Sequence, residues 1–353
     1  MTIHIVGLER HEQRYTTEWA SNLPEQIRQA YPNERVKIVH GAHDHQVTSP
    51  GAFLDFAGTN VFKGEQCAEI GRLFQSGQVA AGDTFLFTDA WHFGVIATRY
   101  TSDLLSIPVR IVGLHHAGSH DPHDFLGRLG DTPWLRPFER SIFEAIDANV
   151  FATRFHIDLY REVHVYAPDG KVLQAGWPME YLTNVLGQRQ KHPKRKLVLF
   201  PHRLAPEKQV EIFRDLGNEF PEFEFRVCQE QRLSKEEYHA LLVEAAAVFS
   251  CSLQETLGIA MYEGLLCGAM PIAPNRLSYA EMYPAEVLYP SEWTESEADY
   301  QRCKLQLVAF MRAALGRALQ PEWQAEATTI ADQVGARFFT GDALYAALRG
   351  QSS

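Results

Sequence analysis

Residues 250–273 read SCSLQETLGIAMYEGLLCGAMPIA, which is the most informative segment of the chain. An apolar run ends near Ser250, a short loop carries Glu255, and Gly258 precedes an apolar segment of helical length. Glycine permits close approach of the backbone, and the first N–H groups of a helix attract anions. The segment therefore predicts a strand, a loop and a helix whose start binds a diphosphate.

Two glutamates flank this predicted helix start. Glu263 follows Glu255 by eight residues, about a turn and a half into the helix. Phosphates repel carboxylates, so both side chains are better suited to accept hydrogen bonds from hydroxyls on either side of a diphosphate, such as those of a sugar and a ribose. Residues 257–273 carry almost no other charge, and an unpaired carboxylate is costly to bury. This favours a ligand-facing Glu263 over a solvated one.

A second motif, FPHRLAPEKQ at 200–209, carries two cations at the turn between a predicted strand and a predicted helix. Arg203 and Lys208 can neutralise a diphosphate there and stabilise the charge that grows on it as a leaving group. The alternative is a pair of solvated surface charges. Their shared position at a strand-to-helix turn favours the functional interpretation.

Short apolar runs alternate with longer helix-period segments along the chain, which is typical of parallel sheets covered by helices. The length of 353 residues is enough for two domains. The predicted strands are 3–8, 36–40, 84–88, 109–114, 149–152, 197–200, 224–228, 247–250, 270–273 and 287–289. The predicted helices are 12–30, 64–75, 92–105, 133–146, 207–220, 235–245, 258–267 and a helical tail from 297.

A polar segment rich in helix breakers separates two series of strands. We predict an α/β protein of two doubly wound, Rossmann-like domains that face a cleft. The N-terminal domain covers 1–175, a linker 176–195, and the C-terminal domain 196–335. Residues 336–353 are expected to form a C-terminal helix that packs back on the N-terminal domain.

The segments RLAPEK and SLQETLGIAMYEGLLCGAMPIA together resemble the donor-site signature of the retaining GT-B glycosyltransferases of family GT4. The resemblance covers about 90 residues, from Leu197 to about Pro284, with His202 and Gly264 where the family usually has Gly and Ala. The family's Gly-rich loop after the first strand is reduced here to Gly7. The resemblance implies sugar transfer, with retention, from a UDP- or GDP-linked donor to an acceptor hydroxyl. It also implies that the N-terminal domain, 1–175, is acceptor-binding and the C-terminal domain, 196–335, nucleotide-sugar-binding.

The same resemblance implies roles for the four charged motif residues. Arg203 and Lys208 would contact the donor diphosphate. Glu255 would bind a hydroxyl of the transferred sugar, and Glu263 the ribose hydroxyls. Catalysis would need no fixed nucleophile, because a leaving phosphate oxygen takes the proton of the acceptor while the protein supplies positioning and charge stabilisation.

Further donor contacts follow from the resemblance. The backbone of Leu257 and Gly258 would lie near the phosphates, and the loop after Cys228 against the base. The family usually places a histidine after a central N-terminal strand; in LHHAG at 114–118 we assign it to His115, narrowly ahead of His116. No Asp-x-Asp motif occurs, so we expect no essential metal and no cofactor beside the nucleotide sugar.

Candidates for the acceptor side are Asp89, His92, His116 and His120. Asp89 follows a predicted strand and would be the general base of an inverting enzyme, although an aspartate there more often caps a helix. Twelve of the fifteen histidines lie in the first 175 residues, including His43, His45 and a cluster at 115–123. A zinc site is the alternative for these loops, disfavoured because no cysteine accompanies them.

The net charge of −11 disfavours a broad basic face for nucleic acid or anionic lipid, and residues 1–175 carry 15 Lys and Arg against 21 Asp and Glu. No eighteen apolar residues run together, the N-terminus does not resemble a secretory signal, and the five cysteines form no Cys-x-x-Cys pair. We expect a cytoplasmic enzyme without integral membrane association.

The acceptor predicted from the sequence is a glycan, a small molecule or a hydroxylated nucleobase in DNA. A sugar-nucleotide epimerase or a phosphorylase on the same fold is an alternative enzyme. A non-catalytic module that only binds a sugar nucleotide is the alternative from another functional class.

Overall fold

The structure is a computed structural model that describes residues 1–10, 15–42, 55–130, 132–187, 193–231 and 233–351. The chain divides into two compact units: Met1–Met179 with Thr340–Ser353 forms unit 1, and Glu180–Phe339 forms unit 2. Each unit contains one parallel sheet. The α/β class predicted from the alternation of apolar runs and helical segments is confirmed.

Unit 1 is built on six strands, β1 Thr2–Val6, β2 Arg35–Val39, β3 Thr84–Phe87, β4 Arg110–His115, β5 Ala148–Phe151 and β6 Val172–Gln174. The helices that follow these strands are α1 Tyr15–Ala30, α2 Phe56–Gln75, α3 Gly94–Leu105, α4 Leu135–Ala145 and α5 Arg154–Val163. The strand order is β2-β1-β3-β4-β5-β6. Because β1 pairs with both β2 and β3, the winding of the chain reverses between β1 and β3.

Unit 2 is built on five strands, β7 Arg195–Phe200, β8 Glu224–Val227, β9 Ala245–Phe249, β10 Met270–Pro274 and β11 Leu288–Tyr289. Its helices are α6 Tyr181–Leu186, α7 Val210–Gly217, α8 Lys235–Glu244, α9 Ile259–Leu266, α10 Tyr279–Met282, α11 Glu297–Ala318 and α12 Pro321–Phe338. The strand order is β11-β10-β9-β7-β8, so the winding reverses between β7 and β9. Ligands of open α/β sheets bind beyond the carboxyl ends of the strands at such reversals.

The last helix, α13 Asp342–Leu348, belongs to unit 1. Thr84 Oγ1 donates to the carbonyl of Leu348 at 2.9 Å, and Arg110 Nε donates to the carbonyl of Ala347 at 2.6 Å. These bonds satisfy carbonyls at the end of α13 that have no partner within the helix.

The central strands explain why the sequence shows continuous apolar runs instead of alternation. All four residues of β3 and the last four of β7 are buried, as expected for parallel strands with helices on both faces. Among the described residues, no helix combines the length and the hydropathy needed to cross a bilayer.

Local backbone chemistry shifts one predicted helix. The helix predicted at 207–220 begins instead as a 3₁₀ turn, Pro206–Lys208, and α7 starts only at Val210. Gln209 between them has a left-handed backbone with φ 54°. Its side-chain amide donates to the carbonyls of Cys251 and Thr294 at 2.7 and 2.8 Å, which fixes this conformation.

Gly264 gives a direct test of how α9 packs on the sheet. A Cβ at this position would lie 2.6 Å from Cγ1 of the buried Val248 in β9, so we expect Gly264→Ala to lower the free energy of unfolding by about 1–3 kcal/mol. Urea unfolding measures this. Gly316→Ala in α11, where a Cβ meets no atom within 4 Å, is the control and should be neutral or stabilise by up to about 1 kcal/mol. Equal stability of both variants would contradict close packing of α9 on β9.

Candidate functional site

The two sequence motifs meet at the reversal point of unit 2. β7 and β9 are paired neighbours in the sheet, and both run in the same direction. The loop after β7 carries Arg203 and Lys208, and the loop after β9 carries Glu255 and Gly258. Strand pairing therefore brings together residues that lie about fifty positions apart in the chain.

Lys208 joins the two loops. Its side chain is almost fully buried, and its Nζ donates to the carbonyl oxygen of Gln254 and to Glu255 Oε2, the latter at 3.2 Å. An ammonium group has three N–H donors, and a buried charge needs both pairing and hydrogen bonds. The described contacts employ two of these donors.

Arg203 lies beside this pair. Its guanidinium contacts Glu207 Oε1 through Nε at 3.2 Å and through Nη2 at 2.5 Å, and Nη2 also lies 3.5 Å from Oε1 of Gln254. Glu207 is 3% exposed at its side chain and Arg203 30%. Arg203 is thus anchored on a buried carboxylate while its own side chain reaches solvent.

Glu255 is held in its ionised form. Burial opposes ionisation, but the nearby charge of Lys208, with a smaller contribution from Arg203, lowers the pKa of the carboxyl below its usual value. About one fifth of this side chain is exposed. An ionised, partly accessible carboxylate can accept hydrogen bonds from ligand hydroxyls.

Gly258 initiates α9 with a left-handed backbone at φ 74° and ψ 43°. A Cβ at this residue would lie 2.7 Å from Cε1 of Tyr279, so both the conformation and the space require glycine. Tyr279 is itself fixed, because its hydroxyl lies 3.0 Å from Ser250 Oγ. The preceding Leu257 is buried, so the N-terminus of α9 is rigidly placed.

Glu263 lies within α9 and is 4% exposed. Its Oε1 accepts from Lys235 Nζ at 3.3 Å and its Oε2 from the Tyr238 hydroxyl at 3.0 Å. The sequence analysis favoured a ligand as the partner of this carboxylate. In the structure its partners are these two side chains of α8, which the sequence analysis did not identify. Cys228, which opens the turn after β8, is buried, and burial raises the pKa of its thiol to about 12.

Arg276 is a further site residue that the sequence analysis missed. Its guanidinium donates to the backbone carbonyls of Cys251, Ser252, Ser291 and Thr294, at 2.8 to 3.1 Å. It therefore fixes the first residues of the loop after β9. No motif marks this role, because an arginine that binds carbonyls has no characteristic spacing from them.

The reversal point of unit 1 carries a second lysine–carboxylate pair. Lys63 Nζ donates to Asp89 Oδ2 at 2.9 Å and to the carbonyl of Trp91 at 2.5 Å. Burial opposes ionisation of Asp89, but Lys63 and, to a smaller extent, His116 lower its pKa. Asp89 does not cap α3; its Oδ1 accepts from the Trp91 amide at 3.0 Å and closes a turn before the helix.

A small, partly open pocket lies at this reversal point. Residues from β1, the loops after β1 and β3, and helices α1 and α2 line it: Val6, Gly7, Leu8, Glu9, Thr16, Thr59, Phe62, Lys63, Asp89 and His92. Glu9 is 4% exposed, and its Oε2 accepts from Thr59 Oγ1 at 2.8 Å. The pocket therefore combines two carboxylates with one ammonium group.

His92 has a structural role in the wall of this pocket. Its Nδ1 accepts from the Gly94 amide at 2.9 Å at the start of α3, so Nε2 carries the proton and donates to Gln66 Oε1 at 3.0 Å. Burial lowers the pKa of His92 to about 3. Both ring nitrogens are thus occupied by the protein.

The paired histidines after β4 differ in environment. His115 stacks on Phe151 at a centroid distance of 4.4 Å, its Nε2 bonds Asn149 Oδ1 at 2.8 Å, and burial lowers its pKa to about 4. His116 is more exposed, bonds the Thr88 carbonyl through Nε2, and packs on Trp177 at 4.3 Å. The structure places His115 in the core and His116 at its margin.

His120 lies in a buried cluster of unit 1. Its Nε2 is 2.8 Å from Nε2 of His156, so one ring donates and the other accepts, and burial lowers the pKa of both. His43 and His45 lie outside the described residues. Over the described part of the chain, no group of three or more His, Cys, Asp or Glu is arranged to hold a metal ion.

No protein-family model matches the chain. The Drosophila melanogaster tRNA-queuosine alpha-mannosyltransferase is 31% identical over 148 residues, which cover 39% of this chain and 37% of that protein. The chain thus matches little more than a third of the length of this curated relative.

Two solved structures are similar over almost their whole length. The sucrose-phosphate synthase of Thermosynechococcus elongatus has a TM-score of 0.61 at 13% identity, covering 98% of this chain and 97% of that one. The catalytic domain of Arabidopsis thaliana starch synthase IV, bound to ADP and acarbose, has a TM-score of 0.59 at 12% identity, covering 99% of both chains. The fold is that of the GT-B glycosyltransferases. This confirms the fold that the two motifs implied.

The buried histidines of this GT-B chain predict an acid-sensitive stability. A lowered pKa is found for His4, His92, His115, His116, His120, His156 and His202. Below pH 6.5 these histidines bind protons in the unfolded chain but stay neutral in the folded protein. The free energy of unfolding therefore falls as the pH falls. Each ring whose pKa is lowered to about 3 or 4 (His92, His115, His156 and His202) should contribute about 1.4 kcal/mol of loss between pH 7.5 and 5.5, above the range where carboxylates titrate.

Urea unfolding of His156→Gln at both pH values tests this. We expect its pH-dependent loss to be smaller than that of the wild type by about 1.4 kcal/mol. His40→Gln is the control, because His40 is exposed and its hydration changes little on unfolding. An undiminished loss in His156→Gln would show that burial does not suppress protonation of this ring.

Proposed function

We propose that the protein is a retaining, metal-independent glycosyltransferase of the GT4 type that transfers a hexose from a nucleoside diphosphate sugar to an acceptor hydroxyl in the cytoplasm. The observation that carries the proposal is the meeting of Lys208, Arg203, Glu255 and the start of α9 at the reversal point of unit 2. Unit 2 then binds the nucleotide sugar, and unit 1 binds the acceptor.

The donor diphosphate fits the positive groups of this site. The N-terminus of α9 offers backbone N–H groups, Lys208 has a third N–H donor, and Arg203 reaches solvent from its buried anchor. These groups stabilise the charge that develops on the departing nucleotide. UDP and GDP are the first nucleotides to test, and mannose the first hexose, because the Drosophila relative is a mannosyltransferase.

The carboxylates fit the hydroxyls of the donor. Glu255 is ionised and partly exposed next to Lys208, so it can accept from a hydroxyl of the transferred sugar. Glu263 would bind the ribose by exchanging its bonds to Lys235 and Tyr238 for ligand hydroxyls. Leu257 and Gly258 contribute backbone next to the phosphates, and the turn at Cys228 lies against the base.

The acceptor assignment is supported by the pocket of unit 1. Its carboxylates, Asp89 and Glu9, accept hydrogen bonds from hydroxyls, and Lys63 keeps Asp89 ionised. The name of the Drosophila relative favours one acceptor class, a modified nucleoside in tRNA, within the wider range of glycans, small molecules and hydroxylated nucleobases. His115, His116, His92 and His120 stay predictions as substrate contacts.

Lys208→Ala tests the donor site. We expect turnover to fall by about 10²–10³, because the charge on the leaving nucleotide loses its buried cation. Donor at about a hundred times its Kd should add about 2.7 kcal/mol to the stability of the wild type and so raise its melting temperature. The rise should be smaller in Lys208→Ala.

The control variant is Arg214→Ala, which removes an exposed arginine paired with Glu211 and Glu230 on the same unit. It should retain full turnover, since such pairs contribute little. Wild-type turnover in a folded Lys208→Ala would contradict the donor site. Donor conversion without any acceptor would indicate an epimerase, and a requirement for inorganic phosphate a phosphorylase.

Asp89→Asn tests the acceptor pocket. We expect kcat/KM for the acceptor to fall about 10–100-fold while donor binding is retained, because a hydrogen bond to a charged group is lost. The acceptors to compare are tRNA with and without queuosine. Asp158→Asn, which breaks an exposed pair with Arg154 on α5, is the matched control. A full rate with Asp89→Asn would remove this pocket from the acceptor site.

A further inference from the structure

His202 is a buried residue of the donor site that the ion pairs do not explain. It directly precedes Arg203, is 5% exposed, and packs edge-on against Phe200 with ring centroids 5.1 Å apart. Its ring hydrogen-bonds the backbone of Phe249, the last residue of β9. His202 therefore bridges the two strands whose loops form the site. The resembled family usually has a glycine at this position.

The hydrogen bond to Phe249 determines which ring nitrogen carries the proton. Among the described residues, Nε2 of His202 has no hydrogen-bond partner, so the bond to the backbone carbonyl is made by Nδ1–H. Nε2 is then left as an acceptor with a buried lone pair. Burial, followed by the charge of Lys208, lowers the pKa of His202 to about 3, which keeps the ring neutral.

Within the described part of the chain, no group donates a hydrogen bond to this lone pair. His202 lies in the loop after β7, directly before Arg203, and therefore within the proposed donor site, where the charges of Lys208, Glu255 and Arg203 act on its ring. Lys208 donates to Gln254 and Glu255, and Arg203 donates to Glu207. A buried acceptor without a donor is costly, whereas a ligand that brings an O–H group removes that cost.

We propose that Nε2 of His202 accepts a hydrogen bond from one hydroxyl of the transferred sugar and is a specificity-determining residue for it. The proposal rests on the proposed function and deepens it. Phosphate oxygens carry no proton to donate at neutral pH, so the diphosphate cannot satisfy Nε2. A sugar hydroxyl can, and Glu255 beside the ring is the residue proposed to hold the same sugar.

The experiment compares kcat/KM of wild type, His202→Ala and His202→Gln for the accepted donor and its monodeoxy analogues, one for each free hydroxyl. In the wild type, kcat/KM for one of the analogues should be about 10–100-fold lower than for the parent donor, because a buried polar group selects strongly for its hydrogen-bond partner. In His202→Ala, kcat/KM for the parent donor should fall by a similar factor, and kcat/KM for that analogue should not fall further. His202→Gln, whose amide oxygen can accept, should partly restore the discrimination.

Binding of the nucleoside diphosphate without its sugar is the matched measurement, since the proposed contact lies on the sugar. Its Kd should stay within about threefold in both variants, far below the 10–100-fold effect on the sugar. Equal analogue penalties in wild type and in a folded His202 variant would overturn the assignment and leave the donor site standing. A wild type that neither binds nor turns over any nucleotide sugar would overturn the proposed function, and this assignment with it.

Discussion

The parallel pairing of β7 with β9 is the constraint on which the proposed donor site depends. It places the loop of Lys208 beside the loop of Glu255, and the ammonium group then bonds a backbone carbonyl and a carboxylate of the second loop. Burying one such charge alone would be prohibitive, so the pair forms only if both loops are in place. The geometry of the site is therefore a consequence of sheet topology before it is a consequence of any motif.

The N-terminus of α9 depends on steric constraints of a different kind. Gly258 turns the chain where Tyr279 leaves no room for a Cβ, and Gly264 lets the helix lie directly against Val248 of β9. These two close contacts fix the position of α9 on the sheet and the conformation of its first turn, so the direction of its first N–H groups is fixed as well. Preorganised dipoles of this kind stabilise developing charge without reorganisation during the reaction.

Much of this could be predicted from the sequence, and the failures have physical causes. Strands β3 and β7 could be predicted because burial on both faces gives continuous apolar runs. Lys208 and Glu255 could be singled out because each lies in a short contiguous motif. The partners of Glu263 could not be found in this way, because Lys235 and Tyr238 lie on another helix. The same is true of Arg276, whose acceptors are backbone carbonyls that a sequence does not distinguish.

The two reversal points share one electrostatic arrangement. In each unit a lysine bonds one backbone carbonyl and one carboxylate, and the lysine lowers the pKa of that carboxylate against the effect of burial.

What surrounds the pair differs between the units. The first site contains two cations, Lys208 and Arg203, each paired with a carboxylate, and the positive N-terminal end of α9 lies beside them. Around Lys63 one cation faces two carboxylates, Asp89 and Glu9. The first balance favours an anion, and the second favours neutral groups that donate hydrogen bonds. The proposed transfer from a nucleotide sugar to a hydroxyl needs one site of each kind.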